Sequence, residues 1–197
     1  MKLYILRHED RTDDATMFSP LTEDGLKNSI DLIDTIDDLN IDLIYSSPFI
    51  RTLQTIHPFA KKRNIKLNLE YSLSEIKHPH LIPKKSYSVA LPVYLAKSFN
   101  YNPKYKSLIE PEDMNYPEDD KQVLNRSRKF LNKIMNENCT TKKNILFVTH
   151  QIVCNSLLKI ATKQESDVEI SSTDKYPKGC ITRIWDTDSW DYERINH

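Results

Sequence analysis

Glycine is almost absent from this chain, because only two of its 197 residues are glycine. Loops that cradle phosphate with closely approaching backbone amides need several glycines at short spacing, so the Gly-rich nucleotide-binding motifs are excluded. Neither sign of charge is in excess, with 28 basic and 28 acidic residues. No overall positive field therefore attracts nucleic acid or an anionic membrane. We expect neither as a partner, and we expect any anion site to be local.

Cysteines and long apolar runs are also scarce. The three cysteines, Cys139, Cys154 and Cys180, are widely spaced and include no CxxC pair. This pattern is typical of reduced thiols in an intracellular protein and not of a disulfide framework or a zinc site. Because no segment approaches the length of a membrane span, we expect a cytoplasmic globular protein. The oligomeric state is left open by the sequence.

Short apolar runs predict the strands. The runs KLYIL (residues 2–6), DLIYSS (42–47) and NILFVT (144–149) are typical of strands covered on both faces in a parallel sheet. IKLNLE (65–70) alternates apolar and polar residues, and two further strands, CITRIW and WDYERI, are predicted near the end of the chain.

Apolar residues at helical spacing predict helices in the segments between these strands. Thr22 is the expected N-cap of the first helix. Its apolar stripe is predicted from Leu26, Ile30, Ile33 and Leu39, and that of a later helix from Val123, Ser127, Phe130 and Ile134. Alternating strands and helices predict an α/β fold, a three-layer sandwich with a mainly parallel central sheet and helices on both faces.

A proline- and tyrosine-rich segment interrupts this alternation at about residues 78–120. It holds too few apolar residues for a core of its own, so we expect one domain over residues 1–197 with an insertion lying over one edge of the sheet. One short helix is possible near residues 86–99. The tyrosines of the insertion could form a lid over a bulky substrate, although packing is the slightly favoured interpretation.

Cationic and titratable residues follow the ends of three predicted strands. Arg7 and His8 follow the first, Arg51 lies in the helix after the second, and His150 follows the strand at 144–149. Ligands of open α/β sheets bind at the carboxyl ends of the strands, so these side chains share one pocket if the strands are neighbours. Cations converging in a site of low dielectric repel one another unless an anion lies between them. A phosphoryl group fits best, because arginine forks match its oxygens.

Histidine adds chemistry to such a pocket. A neutral imidazole is a nucleophile near neutral pH, provided that its other ring nitrogen is held by an acceptor such as a backbone carbonyl. A carboxylic acid must then protonate the leaving oxygen. Glu75 is the preferred candidate, and Asp10, Glu9 and Glu110 stay open as alternatives.

The motifs LRHEDR, YSSPFIRTLQT, SLSEI and FVTHQ, in this order, resemble the histidine phosphatase superfamily, whose members are also called phosphoglycerate-mutase-like. The resemblance covers residues 2 to about 161, with PLTEDG matching the loop and helix start after the first motif. It implies that His8 is the phosphorylated nucleophile, that Glu75 is the proton donor, and that Arg7, Arg51 and His150 hold the phosphate. Arg11 is similar to a further phosphate-binding arginine of one branch, the UBA- and SH3-containing tyrosine phosphatases and the ecdysteroid-phosphate phosphatases.

Two departures from the family pattern concern glycine. Glu9 stands where the family usually has a glycine after the nucleophile, and Gln151 replaces a frequent glycine after the second histidine. Glu9 adds a negative charge beside the anion pocket unless its side chain points away. The Trp-Asn pair common in mutases is also missing.

The resemblance thus implies a metal-independent phosphomonoester hydrolase, without a cofactor, acting through phosphohistidine on a phosphorylated small molecule or a phosphotyrosine-like substrate. One alternative is a catalytically inactive phosphate-binding module, and a less favoured one is a phosphoglycerate mutase. His78 and His80 form an HxH pair, which without cysteine or carboxylate partners indicates a polar loop and not a metal site.

Overall fold

A computed structural model describes residues 1–14, 16–80, 82, 90–163, 175–186 and 189–196. Its strands are β1 (Lys2–Arg7), β2 (Leu43–Ser46), β3 (Leu67–Leu69), β4 (Asn144–Thr149), β5 (Ile181–Asp186) and β6 (Glu193–Arg194). Within the described residues they form one six-stranded sheet in the order β3-β2-β4-β1-β5-β6. The first four run parallel, whereas β5 is antiparallel to both β1 and β6. The prediction of an α/β fold with a mainly parallel sheet is confirmed.

Helices cover both faces of the sheet. They are α1 (Glu23–Asp38), α2 (Ile50–Arg63), α3 (Val93–Lys97), α4 (Asp120–Asn138) and α5 (Gln151–Ala161). In β1, Leu3 and Ile5 pack into the core shared with α4 and α5, and Tyr4 and Leu6 pack into the core shared with α1 and α2. Both faces of the strand are buried, which explains its continuous apolar sequence.

The predicted N-cap of α1 and the predicted buried stripe of α4 are confirmed, but the predicted buried stripe of α1 is wrong. Thr22 caps α1 by accepting a hydrogen bond from the Gly25 amide, as predicted. Leu26 and Ile30, expected in the core, are 42% and 58% exposed. The buried residues of α1 are instead Gly25, Ser29, Leu32 and Ile36. In α4, the predicted stripe is buried as expected.

A close backbone contact explains the different face of α1. A Cβ atom at Gly25 would lie 2.2 Å from the carbonyl oxygen of Asp10, so the helix approaches this loop on the side that lacks a side chain. That contact fixes the rotation of α1 about its axis, and Leu26, the residue after Gly25, therefore faces solvent. Apolar periodicity alone does not contain this information.

Residues 100–102 of the predicted insertion lie along the outer edge of the sheet. The Leu67 amide in β3 donates to the Asn100 carbonyl at 3.1 Å, and the Asn102 amide donates to the Leu67 carbonyl at 2.8 Å. Of the predicted helix near 86–99, Val93–Lys97 is helical, and residues 86–89 lie outside the described part of the chain. The division into one domain with an insertion stays a prediction. Among the described residues, no helix combines the length and apolar composition needed to cross a membrane.

Candidate active site

The carboxyl ends of three parallel strands meet at one edge of the sheet. Arg7, the last residue of β1, pairs with Thr149, the last residue of β4. Ser46, the last residue of β2, pairs with Val148 on the other side of β4. The residues that follow these strands therefore emerge side by side. The rings of His8 and His150 have centroids 5.2 Å apart, so the two imidazoles share one site.

His8 is held in one tautomer by the backbone. Its Nδ1 atom lies 2.6 Å from the carbonyl oxygen of Glu9. Because a carbonyl oxygen only accepts hydrogen bonds, Nδ1 carries the proton and Nε2 keeps its lone pair. Burial, with a contribution from the Arg51 guanidinium, holds the pKa of His8 well below its usual value. The ring is therefore neutral at neutral pH, as a nucleophile must be.

His150 lies beside His8 in the N-cap position of α5. Its Nε2 atom is 2.9 Å from the hydroxyl of Ser47, and its Nδ1 atom is 3.7 Å from the Oε2 atom of Glu75. Burial, reinforced by the positive charge of Arg51, also lowers the pKa of His150. The second imidazole is thus a neutral group that lies close to both the nucleophile and the candidate acid.

Glu75 lies in the loop after a short 3-10 helix, Tyr71–Leu73. Its Oε1 atom accepts a hydrogen bond from the Ile76 amide at 3.0 Å. Burial raises the pKa of this carboxyl above its usual value, although Arg51 acts in the opposite direction. Desolvation therefore favours the protonated form that a general acid needs.

The other candidate acids are placed less well for this role. Asp10 forms an ion pair with Lys178 and accepts a hydrogen bond from the Thr22 hydroxyl at 3.1 Å. The Glu9 carboxylate lies 3.4 Å from the Asn28 amide nitrogen, between α1 and Gly179. Glu110 is exposed. Among the four carboxylates considered, only Glu75 combines proximity to a histidine with a place in the wall of the cavity described below.

A buried ion pair holds both ends of the loop that carries Glu75. Arg126 of α4 donates to the two carboxylate oxygens of Glu118 at 2.6 and 3.0 Å. The same guanidinium donates to the Ser72 carbonyl at 2.5 Å, and Glu118 accepts from the Lys77 amide at 3.3 Å. Ser72 and Lys77 flank the loop. The Arg126–Glu118 pair therefore holds the backbone on both sides of Glu75 in place. The sequence did not predict this role.

The three arginines are anchored by backbone carbonyls. Arg7 donates to the Tyr176 carbonyl, Arg11 to the Thr12 carbonyl, and Arg51 to the Thr16 carbonyl at 2.8 Å. Burial lowers the pKa of Arg51 to about 10, so it is charged at neutral pH. The buried Nε atoms of Arg7 and Arg51 have no hydrogen-bond partner within the described residues. The positive charges of these arginines make this edge of the sheet favourable for an anion.

A cavity of about 380 Å³ opens at this edge, and we call it the phosphate cavity. Its wall includes Arg7, His8, Arg11, Asp13, Glu75, Gln151, Ile152 and Lys178. Arg51 and His150 are absent from this wall, and both are almost fully buried behind it. Of the predicted site residues, Arg7, His8, Arg11 and Glu75 thus line the cavity, and Arg51 and His150 do not.

Lys178 is a cavity residue that the sequence reading did not find. It lies just before β5, the strand that is antiparallel to β1. Because β5 runs antiparallel to β1, the start of β5 lies at the same edge of the sheet as the carboxyl end of β1. Lys178, which precedes β5, therefore lies beside the residues that follow β1. A search of the residues that precede the predicted terminal strands would have identified it.

Both glycines of the chain support the loop that follows His8. Gly25 approaches the Asp10 carbonyl, and a Cβ atom at Gly179 would lie 1.8 Å from the Oε1 atom of Glu9. Gly179 also has a φ of +65°, a conformation that favours glycine. The side chain of Glu9 therefore turns over Gly179 and is not part of the wall of the phosphate cavity. The unusual residue after the nucleophile is accommodated by a glycine elsewhere in the chain.

We expect Gly179→Ala to lower the free energy of unfolding by about 2 kcal/mol, because the new methyl group both strains the backbone and displaces the buried Glu9 carboxylate. In Glu9→Ala/Gly179→Ala, the displacement is removed and only the backbone strain of about 1 kcal/mol remains. Urea denaturation of the two single variants and the double variant measures the coupling. Strictly additive effects would contradict the assigned contact.

His78 and His80 lie close together, with ring centroids 5.0 Å apart. In the described part of the chain, no group of three His, Cys, Asp or Glu side chains is arranged to hold a metal ion. The three cysteines are unpaired, with Cys139 exposed and Cys154 and Cys180 buried.

Comparison with known proteins identifies a family model and several similar folds. The family model of the histidine phosphatase superfamily (branch 1) matches residues 3–197. No curated protein sequence matches the chain significantly. Similar solved structures include the ecdysone phosphate phosphatase of Bombix mori, crystallised with tungstate, with a TM-score of 0.72, 18% identity and coverage of 98% of this chain and 91% of the other.

Two bacterial structures are also similar. Bacillus stearothermophilus YhfR has a TM-score of 0.69 at 19% identity, covering 98% of this chain and 95% of the other. The α-ribazole phosphatase of Shigella flexneri has a TM-score of 0.66 at 19% identity, covering 100% and 96%. At these identities the structures establish a shared fold, and the predicted phosphoglycerate-mutase-like architecture is confirmed.

Proposed function

The chain belongs to the histidine phosphatase superfamily, and from this premise we propose that it is a phosphatase that hydrolyses phosphomonoesters through a phosphohistidine formed on His8. The observation that carries the proposal is the hydrogen bond from His8 Nδ1 to the Glu9 carbonyl. It leaves Nε2 unprotonated in a cavity whose wall also contains two arginines and a carboxyl group with a raised pKa.

In the first step, the lone pair of His8 Nε2 forms a bond to phosphorus while the bond from phosphorus to the ester oxygen breaks. Glu75 gives its proton to the departing oxygen, so that a neutral alcohol leaves. Arg7 and Arg51 stabilise the charge on the phosphoryl oxygens, and Arg11 adds a third cation at the rim. The neutral ring of His150 supports the site from behind the wall, where it contacts the His8 ring.

In the second step, the Glu75 carboxylate accepts a proton from water, and the water oxygen attacks phosphorus. The bond between phosphorus and Nε2 breaks, which returns His8 to its neutral form and releases phosphate. No metal ion or cofactor takes part in either step of this proposal. Substrates of this mechanism are phosphorylated small molecules or phosphotyrosine-like esters.

An activity assay over a panel of phosphate esters, with and without EDTA, tests the proposal. We expect release of inorganic phosphate from at least aryl phosphates, at the same rate in the presence of EDTA. Vanadate-sensitive binding without turnover on the entire panel would instead identify a non-catalytic phosphate-binding module. Isomerisation of phosphoglycerate that depends on a bisphosphate primer would identify a mutase.

A further inference from the structure

Thr149, the last residue of β4, contacts both halves of the proposed catalytic machinery. Its carbonyl oxygen accepts a hydrogen bond from the His8 amide at 3.0 Å. Its hydroxyl donates a hydrogen bond of 2.6 Å to the carbonyl of Leu73, two residues before Glu75. A single residue of the sheet is therefore bonded both to the backbone of the nucleophile and to the loop that carries the acid.

The two hydrogen bonds of Thr149 make different demands on its side chain. The carbonyl bond extends the parallel ladder of β1 and β4, in which Arg7 pairs with Thr149, and any residue could accept it. The bond to Leu73 needs a hydroxyl, which only serine or threonine supplies with this short reach. Thr149 and Leu73 are both fully buried, so loss of the hydroxyl leaves a carbonyl that is shielded from solvent without this partner.

The other contacts of this loop act from within it or from behind it. Local bonds between amides and carbonyls close the turn at Tyr71–Leu73. The Arg126–Glu118 pair ties the ends of the loop to α4. These contacts set the shape of the loop and its distance from α4. The Thr149 hydroxyl instead joins the loop to β4, which is the neighbour of β1 in the sheet.

We propose that Thr149 is a positioning residue, whose hydroxyl sets the distance between the Glu75 carboxyl group and the nucleophile His8. The proposal rests on the proposed function, in which Glu75 protonates the leaving oxygen. Proton transfer needs a donor within hydrogen-bond reach, and a misplacement of about 1 Å can cost about 100-fold in rate. Thr149 therefore matters most for alkyl phosphates, whose leaving oxygen has to be protonated. It matters little for 4-nitrophenyl phosphate, whose phenolate leaves without a proton.

Two pairs of proteins isolate the hydroxyl. The unaltered protein and Thr149→Val differ in the hydroxyl and keep the branched shape, and Thr149→Ser and Thr149→Ala differ in the same hydroxyl without the methyl group. We expect Thr149→Val to lower kcat/KM about 30-fold on an alkyl phosphate and about threefold or less on 4-nitrophenyl phosphate. Thr149→Ser should stay within about threefold of the unaltered protein on both esters, and Thr149→Ala should repeat the selective loss.

The selective loss separates positioning of the acid from a merely structural role. A variant that is only less stable has a smaller folded fraction, which lowers the rates on both esters by the same factor. The comparison of Thr149→Ser with Thr149→Ala also remains available if Thr149→Val does not fold. In Glu75→Gln, where the acid is absent, adding Thr149→Val should change the two rates equally, because the two substitutions affect the same step.

Thr182→Val is the matched control. Thr182 is also fully buried in a strand, and its hydroxyl lies 2.6 Å from that of Tyr176, outside the loop that carries Glu75. Any loss in this variant should fall on both esters alike. Equal losses on the two esters in Thr149→Val, equal activity of Thr149→Ser and Thr149→Ala on the alkyl ester, or a selective loss in Thr182→Val would each overturn the assignment. Failure of the unaltered protein to release phosphate from any ester would overturn the proposed function instead.

Discussion

Replacing His8 by alanine is expected to lower kcat on every phosphate ester by at least about 10⁴-fold, because His8 is the nucleophile of the proposed mechanism. His150, the imidazole beside it, cannot substitute. Its Nε2 atom is engaged with Ser47, and the ring is absent from the wall of the phosphate cavity. Steady-state hydrolysis of an aryl phosphate measures the loss.

The proposed phosphohistidine gives this prediction a second readout. A substrate labelled in the phosphoryl group should leave label on the unaltered protein that survives alkali and is lost in acid, as expected for a bond between phosphorus and nitrogen. His8→Ala should carry no such label. His80→Ala is the matched control, because this histidine is exposed and we assign it no role. Turnover of His8→Ala at the parent rate, in protein with an unchanged melting temperature, would rule out the mechanism.

The site residues at the ends of parallel strands were predictable from sequence. Short apolar runs place Arg7, His8 and His150 after strands, and the rule that ligands bind at the carboxyl ends of such strands brings these residues to one edge. The structure agrees, because β1, β4 and β2 are neighbours. Local pattern and simple topology are sufficient for this part of the site.

Features that depend on contacts between distant segments were not predictable in this way. Lys178 reaches the phosphate cavity only because β5 runs antiparallel to β1. Arg126 and Glu118 brace the Glu75 loop across the boundary of the predicted insertion, and each looks like an ordinary charged residue in the sequence. The outward position of Leu26 follows from the close approach of Gly25 to Asp10. No periodicity in the sequence encodes these three contacts.

Replacing Glu75 by glutamine should slow the hydrolysis of an ester more strongly when its leaving group has to be protonated. An alkyl phosphate must expel an alkoxide, so we expect its kcat/KM to fall by about 10³-fold when the acid is removed. For 4-nitrophenyl phosphate, whose phenolate leaves without protonation, we expect a fall of about tenfold or less. Equal losses on the two esters would show that Glu75 only positions the substrate.

The pH dependence of kcat/KM distinguishes proton donation from other effects of the same substitution. Burial raises the pKa of Glu75, and the first step needs its protonated form, so activity on the alkyl ester falls as the pH rises through this pKa. Burial lowers the pKa of His8, so loss of activity on the acidic side begins well below the usual pKa of histidine. Ionisation of the substrate affects the unaltered protein and Glu75→Gln equally, so it cancels in the ratio of their kcat/KM values. In Glu75→Gln, kcat/KM should therefore no longer fall at alkaline pH, because glutamine has no proton to lose. The fall of kcat/KM at acidic pH should remain, because His8 still titrates.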